Sequence, residues 1–160
     1  MDVVVNTDIL STLAKINKLK LLSKLFRKSS MLICPSVSIE IKKGVELGLL
    51  SYSQPSDFQK IMPSIAEKNL CKELREQKNL GFADAECVAI ARNRSCLLIT
   101  NDREARKVAD SLSIYCLNLP SLLRELWKSH TLPKPVVAEL VKEIERKDRI
   151  VIKNKALIFT

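Results

Sequence analysis

The sequence has few of the residues from which zinc sites and base-stacking surfaces are built. It contains one histidine, His130, and five widely spaced cysteines without a C-x-x-C pair. A structural zinc site needs four such ligands at close spacing, so none is expected, and we expect the cysteines to be buried, reduced thiols. One Trp, two Tyr and four Phe offer no evident platform for stacked bases.

Long apolar runs are also missing, and we expect no leader segment. Apolar runs such as 96–99 are too short to cross a bilayer, and no basic segment of the signal-peptide type stands at the N-terminus. We therefore expect a cytoplasmic protein with no membrane partner. Apolar residues make up 46% of the chain, which excludes wholesale disorder and suits one domain with a real core. The net charge of +9 favours an anionic partner.

Short apolar runs alternate with amphipathic stretches along the chain. The pattern predicts strands at 2–5, 31–34, 96–100 and 114–117 with helices between them, while residues 51–79 are polar and helical in tendency. Such alternation is typical of an α/β fold with a central parallel sheet of four or five strands, covered on both faces. We expect one domain over residues 1–130, followed by a helical extension, 131–160, that packs on it or mediates association.

Carboxylates follow the predicted strands. Asp8 and Asp102 each come shortly after a strand, and Glu40 lies one turn into the helix after the second strand. Asp84 shares a helical stripe with apolar residues, where an acid is unfavourable unless it is paired or binds a metal. Sites in parallel sheets lie at the carboxyl ends of the strands, so we expect these acids to meet at one edge.

Acids gathered in this way require a counter-charge. Two unit charges about 4 Å apart repel by roughly 4 kcal/mol at an effective dielectric of about 20, and a divalent cation removes that cost. Oxygen ligands without His or Cys suit Mg²⁺ or Mn²⁺. Each acid also has a simpler explanation. Asp8 and Asp102 could be helix caps, Asp84 an ordinary acid of a first helical turn, and Glu40 and Glu86 solvated side chains.

Four segments, taken together in order and spacing, resemble a PIN domain of the VapC-like kind over about residues 1–120. They are NTDIL at 6–10, PSVSIE at 35–40, ADAECVAIA at 83–91 and LITNDR at 98–103. The resemblance implies a three-layer α/β/α fold, ribonuclease activity that depends on Mg²⁺ or Mn²⁺, products with 5′-phosphate and 3′-hydroxyl ends, and frequent homodimers. Many members of the family are toxins paired with an antitoxin protein, and others process ribosomal RNA.

The first motif departs from the family pattern. The resemblance assigns family acids to Glu40, Asp84 and Asp102, but the usual first aspartate falls at Asn6, and an acid follows at Asp8. An amide carries no charge and binds metal more weakly, and Asp8 is the candidate to replace it. The predicted catalytic residues are therefore Asp8, Glu40, Asp84 and Asp102, with Asp8, Asp84 and Asp102 as metal ligands and with Asn6, Glu86, Thr100 and Asn101 orienting ligands or water.

Basic residues provide candidate contacts to RNA. Residues 9–39 contain no acid, and Lys15 and Lys18 lie in this stretch, while Arg103 and Arg106 follow Asp102. These four are the predicted RNA-binding residues; a solvated helix face or surface ion pairs are the alternatives.

Three functions remain open from the sequence. The first is a metal-dependent ribonuclease, in one version the toxin of a toxin–antitoxin pair. The second is a PIN-fold RNA-binding or scaffold protein weakened at Asn6. The third is a different α/β phosphotransfer protein that uses the same acids.

Overall fold

Five short parallel strands form the centre of the fold, in the order β3-β2-β1-β4-β5. The computed structural model describes all 160 residues. The strands are β1 (Val3–Val5), β2 (Met31–Ile33), β3 (Phe58–Lys60), β4 (Leu97–Ile99) and β5 (Cys116–Leu117). The helices are α1 (Thr7–Lys15), α2 (Lys20–Leu25), α3 (Pro35–Glu46), α4 (Ile65–Gln77), α5 (Phe82–Arg94), α6 (Arg103–Ser111), α7 (Leu119–Lys128), α8 (Lys134–Asp148) and α9 (Lys155–Ile158).

The inner strands are apolar at every position because both faces of the sheet are covered. All three residues of β1 and of β2 are buried, and Val3 lies opposite Met31 on one side and Leu97 on the other. Consecutive apolar residues are what a strand buried on both faces requires. The predicted α/β fold with a parallel central sheet is confirmed, with five strands.

One strand was not predicted. β3 lies within residues 51–79, for which the sequence predicts a helical tendency, and that prediction is wrong for residues 58–60. Only Phe58 of β3 is buried, while Gln59 and Lys60 are exposed. β3 pairs with β2 alone, so it is an edge strand and does not carry the apolar run by which the inner strands are detected.

Helix α5 is the main helix packed on the sheet and contacts both β1 and β4. Alanines at 83, 85, 89 and 91 are buried, and their small side chains let the helix approach closely. Helix α4 packs along α5, and Arg94 of α5 binds the buried carboxylate of Glu67 of α4 through Nε at 2.8 Å and Nη2 at 2.9 Å. This ion pair joins the two helices.

The C-terminal segment packs on the rest of the chain. Helix α8 contacts α1 and α7, and its Asp148 accepts hydrogen bonds from Thr12 Oγ1 and Lys15 Nζ, both at 2.6 Å. Trp127 Nε1 in α7 donates to the carbonyl of Ile158 at 2.7 Å. Whether residues 131–160 also mediate association stays a prediction. None of the helices has the length and apolar character needed to span a membrane.

The strand order reverses beside β1. The chain continues from β1 to β2 on one side, and β4 pairs with β1 on the other side, so β1 and β4 flank the point at which the strand order reverses. In parallel sheets, ligands bind at this point, outside the carboxyl ends of the strands. Asn6 and Thr100 follow these two strands directly.

Candidate active site

Asn6 lies at the centre of the carboxyl edge of the sheet and is buried. Its Nδ2 donates to Asp84 Oδ1 at 2.6 Å and to Thr100 Oγ1 at 2.9 Å. Its Oδ1 accepts from the backbone N–H of Thr7 at 2.9 Å, which caps α1. The backbone N–H can only donate and the carboxylate can only accept, so these partners determine the orientation of the amide. Asn6 therefore presents N–H to Asp84 rather than oxygen to a cation.

Asp8 joins the turn after β1 to the turn after β4. Its Oδ1 accepts from Ile9 N and its Oδ2 from Asn101 N, each at 2.8 Å. Burial raises the pKa of Asp8 to about 6; the two backbone hydrogen bonds oppose this shift, and the charges of Asp84 and Asp102 add to it. Asp8 thus lies within electrostatic range of both acids, as the strand pattern predicted.

Asp84 lies in the first turn of α5 and is half-buried. Burial raises its pKa, the hydrogen bond from Asn6 lowers it, and the charges of Asp102 and Glu40 raise it further. On the same helix Val88 is fully buried. Asp84 therefore lies on the buried face of α5, as the apolar stripe in the sequence predicts.

Asp102 is the N-cap of α6, and its Oδ1 accepts from Ala105 N at 2.8 Å. The cap explanation is therefore correct as geometry. It leaves Oδ2 without a hydrogen-bond partner in the protein, and the backbone N–H of Asp102 donates to Thr100 Oγ1 at 3.2 Å. A carboxylate that caps a helix through one oxygen can bind a ligand through the other.

Two glutamates connect α3 to this edge. Glu40 is exposed and accepts from Thr7 Oγ1 at 2.5 Å. Glu86 is buried, and its Oε1 accepts from Ser36 N at 2.9 Å and Ser36 Oγ at 2.5 Å. The solvated explanation of Glu86 is wrong, because its carboxylate stabilises the free N-terminus of α3. Glu86 thus holds the start of α3, the helix that carries Glu40.

Some residues at the site could not be identified from composition or period. Cys87 lies below the acids, with its Sγ 3.8 Å from both Asn6 Oδ1 and Cys34 Sγ. A hydrogen bond with Cys34 and burial raise the pKa of the Cys87 thiol well above its ordinary value. Both thiols are buried, as predicted. Thr7 and Ser36, which hold Glu40 and Glu86, were part of the quoted motifs but carried no charge that would single them out.

The donor set can be compared with what a divalent cation needs. The acids at this edge offer carboxylate oxygens, the ligands that Mg²⁺ and Mn²⁺ prefer. No three His, Cys, Asp or Glu side chains lie close enough together to hold one ion in the present arrangement, and an N–H of Asn6 lies between β1 and Asp84. The residues fit such an ion in donor chemistry, while Asn6 supplies part of the counter-charge by itself.

The four predicted RNA-binding residues separate into two pairs. Lys15 forms an ion pair with Asp148 at 2.6 Å. Lys18 lines a cleft of about 680 Å³ together with Lys20 and Lys24, where the chain leaves α1, away from the acids. Arg103 and Arg106, in contrast, lie on α6 directly after Asp102. The structure thus brings the arginines, but not the lysines, next to Asp102, and RNA contact by each residue stays a prediction.

Comparisons with known proteins concern the family and the fold. The family model described as DUF3368, PIN domain, matches residues 2–154. The crystal structure of VapBC2 from Rickettsia felis, bound to a DNA fragment from its promoter, is similar with a TM-score of 0.57 and 20% identity, over 74% of this chain and 98% of that chain. The crystal structure of PAE2754 from Pyrobaculum aerophilum has a TM-score of 0.50 and 16% identity, over 78% and 96%. At these identities the two likenesses concern the fold. No curated protein matches significantly.

Proposed function

Because the chain belongs to the PIN-domain family, we propose that it is a metal-dependent ribonuclease acting at the carboxyl edge of its sheet. One observation carries the proposal: acids from three separate segments lie within electrostatic range of one another there, and the charge of Asp102 raises the pKa of both Asp8 and Asp84. Repulsion between these carboxylates destabilises the folded state unless a ligand offsets their charge. A site that binds a cation and a phosphodiester explains why the acids are kept together.

In this proposal, Asp84, Asp102 and Asp8 hold Mg²⁺ or Mn²⁺. Such an ion, when bound, makes water a stronger nucleophile and offsets negative charge on the phosphate. The protein positions the acids in advance: Asn6 fixes Asp84, and Ala105 N fixes Asp102 through one oxygen. Thr100 Oγ1 joins these two supports, because it accepts from both Asn6 Nδ2 and Asp102 N.

The proposed reaction is hydrolysis. The water oxygen bonds to phosphorus and loses a proton, and the bond from phosphorus to the 3′ oxygen breaks as that oxygen takes up a proton, so that the RNA ends carry a 5′-phosphate and a 3′-hydroxyl. Glu40 is placed at the rim by Thr7, where it can accept a hydrogen bond from the incoming water. The toxin version adds an antitoxin protein as partner and a homodimer as assembly; light scattering of the purified chain tests the latter.

A second candidate function rests on the hydrogen bond from Asn6 to Asp84. This bond supplies a donor at the place where an aspartate would leave two carboxylates facing each other. A PIN-fold protein that binds RNA without cutting it would be stable with this arrangement and would not need the ion.

Cleavage of RNA distinguishes the two candidates. We expect purified protein with Mn²⁺ to cut single-stranded RNA and to leave 5′-phosphate ends, and we expect Asp84→Asn and Asp102→Asn to lower the rate by about 100-fold or more. Glu104→Gln, which removes an exposed acid from α6 next to Asp102, is the matched control and should retain activity. RNA binding without cleavage favours the second candidate, and cleavage that persists in both aspartate variants would place the activity elsewhere.

A further inference from the structure

A basic pocket of about 510 Å³ lies beside the carboxylate edge. It is formed by α6, β5 and the start of α7, and its polar lining consists of Arg103, Arg106, Lys107, Asp110, Asn118 and Ser121. Three of these side chains are cations and one is an acid, so the lining carries a net charge of 3 − 1 = +2. The pocket is thus the electrostatic opposite of the acidic centre next to it.

The two arginines of this pocket have no partner within the protein. Arg106 is half-buried, and its Nε is buried without a hydrogen bond. Neither arginine takes part in any ion pair of the structure, although Asp110 lines the same pocket, whereas Lys107 pairs with Glu104 at 3.5 Å. A guanidinium has five N–H donors, and a buried donor without an acceptor is destabilising. These donors therefore fit a ligand that supplies acceptor oxygens.

The pocket adjoins the acidic centre through β5 and the start of α6. Arg103 follows Asp102 in the chain, and the Cys116 thiol lies within range of charges on both sides. Burial raises the pKa of Cys116 to about 11, Arg106 lowers it, and Asp110 and Asp8 raise it. The charges of Arg106 and Asp8 thus both shift the pKa of the Cys116 thiol. Neither arginine, however, forms an ion pair with the acids. The positive charge is thus left available beside the acidic centre.

We propose that this pocket binds a backbone phosphate of the RNA, next to the phosphodiester that lies at the carboxylates. The inference rests on the proposed function. A guanidinium matches phosphate oxygens through two parallel hydrogen bonds. Asn118 uses only its Oδ1, to cap α7, so its Nδ2 is free to donate, as is Ser121 Oγ. Contacts of this kind fix the register of the strand and read no bases.

RNA binding without metal tests the pocket separately from catalysis. The affinity of a labelled single-stranded RNA is measured by fluorescence anisotropy in EDTA, over a range of salt concentrations, for wild type and for Arg103→Gln with Arg106→Gln. We expect the double variant to bind roughly fivefold more weakly or worse, and the slope of log K against log salt to fall in magnitude by about 0.7, the value for one lost phosphate contact on a single strand. Thermal melting checks that the variant is folded.

A matched control removes the same two charges elsewhere. Lys142→Gln with Lys153→Gln alters exposed lysines of α8 and the segment after it, and its affinity and salt slope should stay near those of the wild type. Arg106→Lys keeps the charge but not the paired donors, so we expect an intermediate affinity. Equal affinity and slope for the double variant and the control would overturn the proposal, as would a wild type that does not bind RNA.

The outcomes separate the pocket from the proposed activity. If the arginine variants weaken binding but wild type does not cleave with Mn²⁺, the phosphate pocket stands and the ribonuclease proposal fails. If wild type cleaves and the arginine variants bind RNA as the control does, the ribonuclease proposal stands and the pocket fails.

Discussion

At the scale of the residue, the decisive feature is the amide of Asn6. Its hydrogen bond to Asp84 joins two atoms 2.6 Å apart. With a carboxylate at position 6, two anionic oxygens would face each other at this place, and only a proton or a bound cation could offset their repulsion. With the amide at position 6, the stability of the acidic centre therefore depends less on a bound cation than it would with the aspartate of the usual family motif.

Asn6→Asp should restore the electrostatic repulsion between residue 6 and Asp84. We expect the metal-free variant to melt at a lower temperature than wild type near neutral pH and to gain more stability from Mn²⁺, because the second carboxylate adds repulsion without metal and a ligand with it. RNA cleavage should rise by about tenfold. Asn69→Asp, on the exposed face of α4, adds the same charge as a control. An Asn6→Asp variant with the melting temperature and metal response of that control would show that residue 6 does not face the cation site.

Asp8 should make the metal-free protein less stable as pH rises. Its pKa is about 6 in the folded protein against 3.8 ordinarily, so between about pH 4 and pH 6 the folded state binds more protons than the unfolded state. The free energy of unfolding therefore falls as pH rises through this window. Urea unfolding at several pH values measures the slope, and Asp8→Asn should flatten it. An identical slope in wild type and variant would contradict the assigned pKa.

At the scale of the element, the ion pair of Glu67 and Arg94 attaches α4 to α5, the helix that carries Asp84. Glu67→Gln should lower the free energy of unfolding by about 1.5–3 kcal/mol, the range for hydrogen bonds to charged groups. Glu73→Gln, exposed on α4, should change it little. Urea unfolding near neutral pH compares them, and equal stabilities would mean that solvent screens the pair.

The pH dependence of this pair runs opposite to that of Asp8. The hydrogen bond from Arg94 holds the pKa of Glu67 at about 2, below its ordinary 4.5. The stabilisation is thus present above about pH 4.5 and is lost as pH falls toward 2. In acid the difference in stability between wild type and Glu67→Gln should shrink; a difference that stays constant down to pH 2 would be inconsistent with this shift.

Elements differed in how far their sequence could predict them. β1 and β4 were predictable because inner strands of a parallel sheet are apolar throughout, and the placement of Asp8 and Asp102 followed from the rule on strand ends. β3 escaped because an edge strand buries one residue of three. The contact of Glu86 with Ser36 joins residues 50 positions apart, and no local period reports such a pairing.

The same limit applies within the site. That acids meet at one edge follows from topology, but which hydrogen bonds each acid makes depends on side-chain geometry. Asp8 was expected as a substitute for an acid at position 6, and the structure gives it two backbone N–H partners instead, at Ile9 and Asn101. Its role as a metal ligand therefore remains a prediction.

At the scale of the whole molecule, the net charge of +9 is unevenly distributed. Acids from the turn after β1, from α5 and from the start of α6 meet at the carboxyl edge of the sheet, and unpaired arginines lie beside them on α6. The lysine-lined cleft near Lys18 is separate from this edge. We expect the arginines to hold the RNA backbone and the acids to hold the ion that allows cleavage, so the proposed activity depends on a divalent ion being bound at the acids.

Binding of Mn²⁺ by the metal-free protein tests this dependence most directly. Titration calorimetry near neutral pH should give saturable binding by wild type and by the control Glu104→Gln. Asp84→Asn and Asp102→Asn should each weaken it by about tenfold or more. Absence of saturable binding by wild type, or equal binding by wild type and Asp84→Asn, would contradict the proposed metal site.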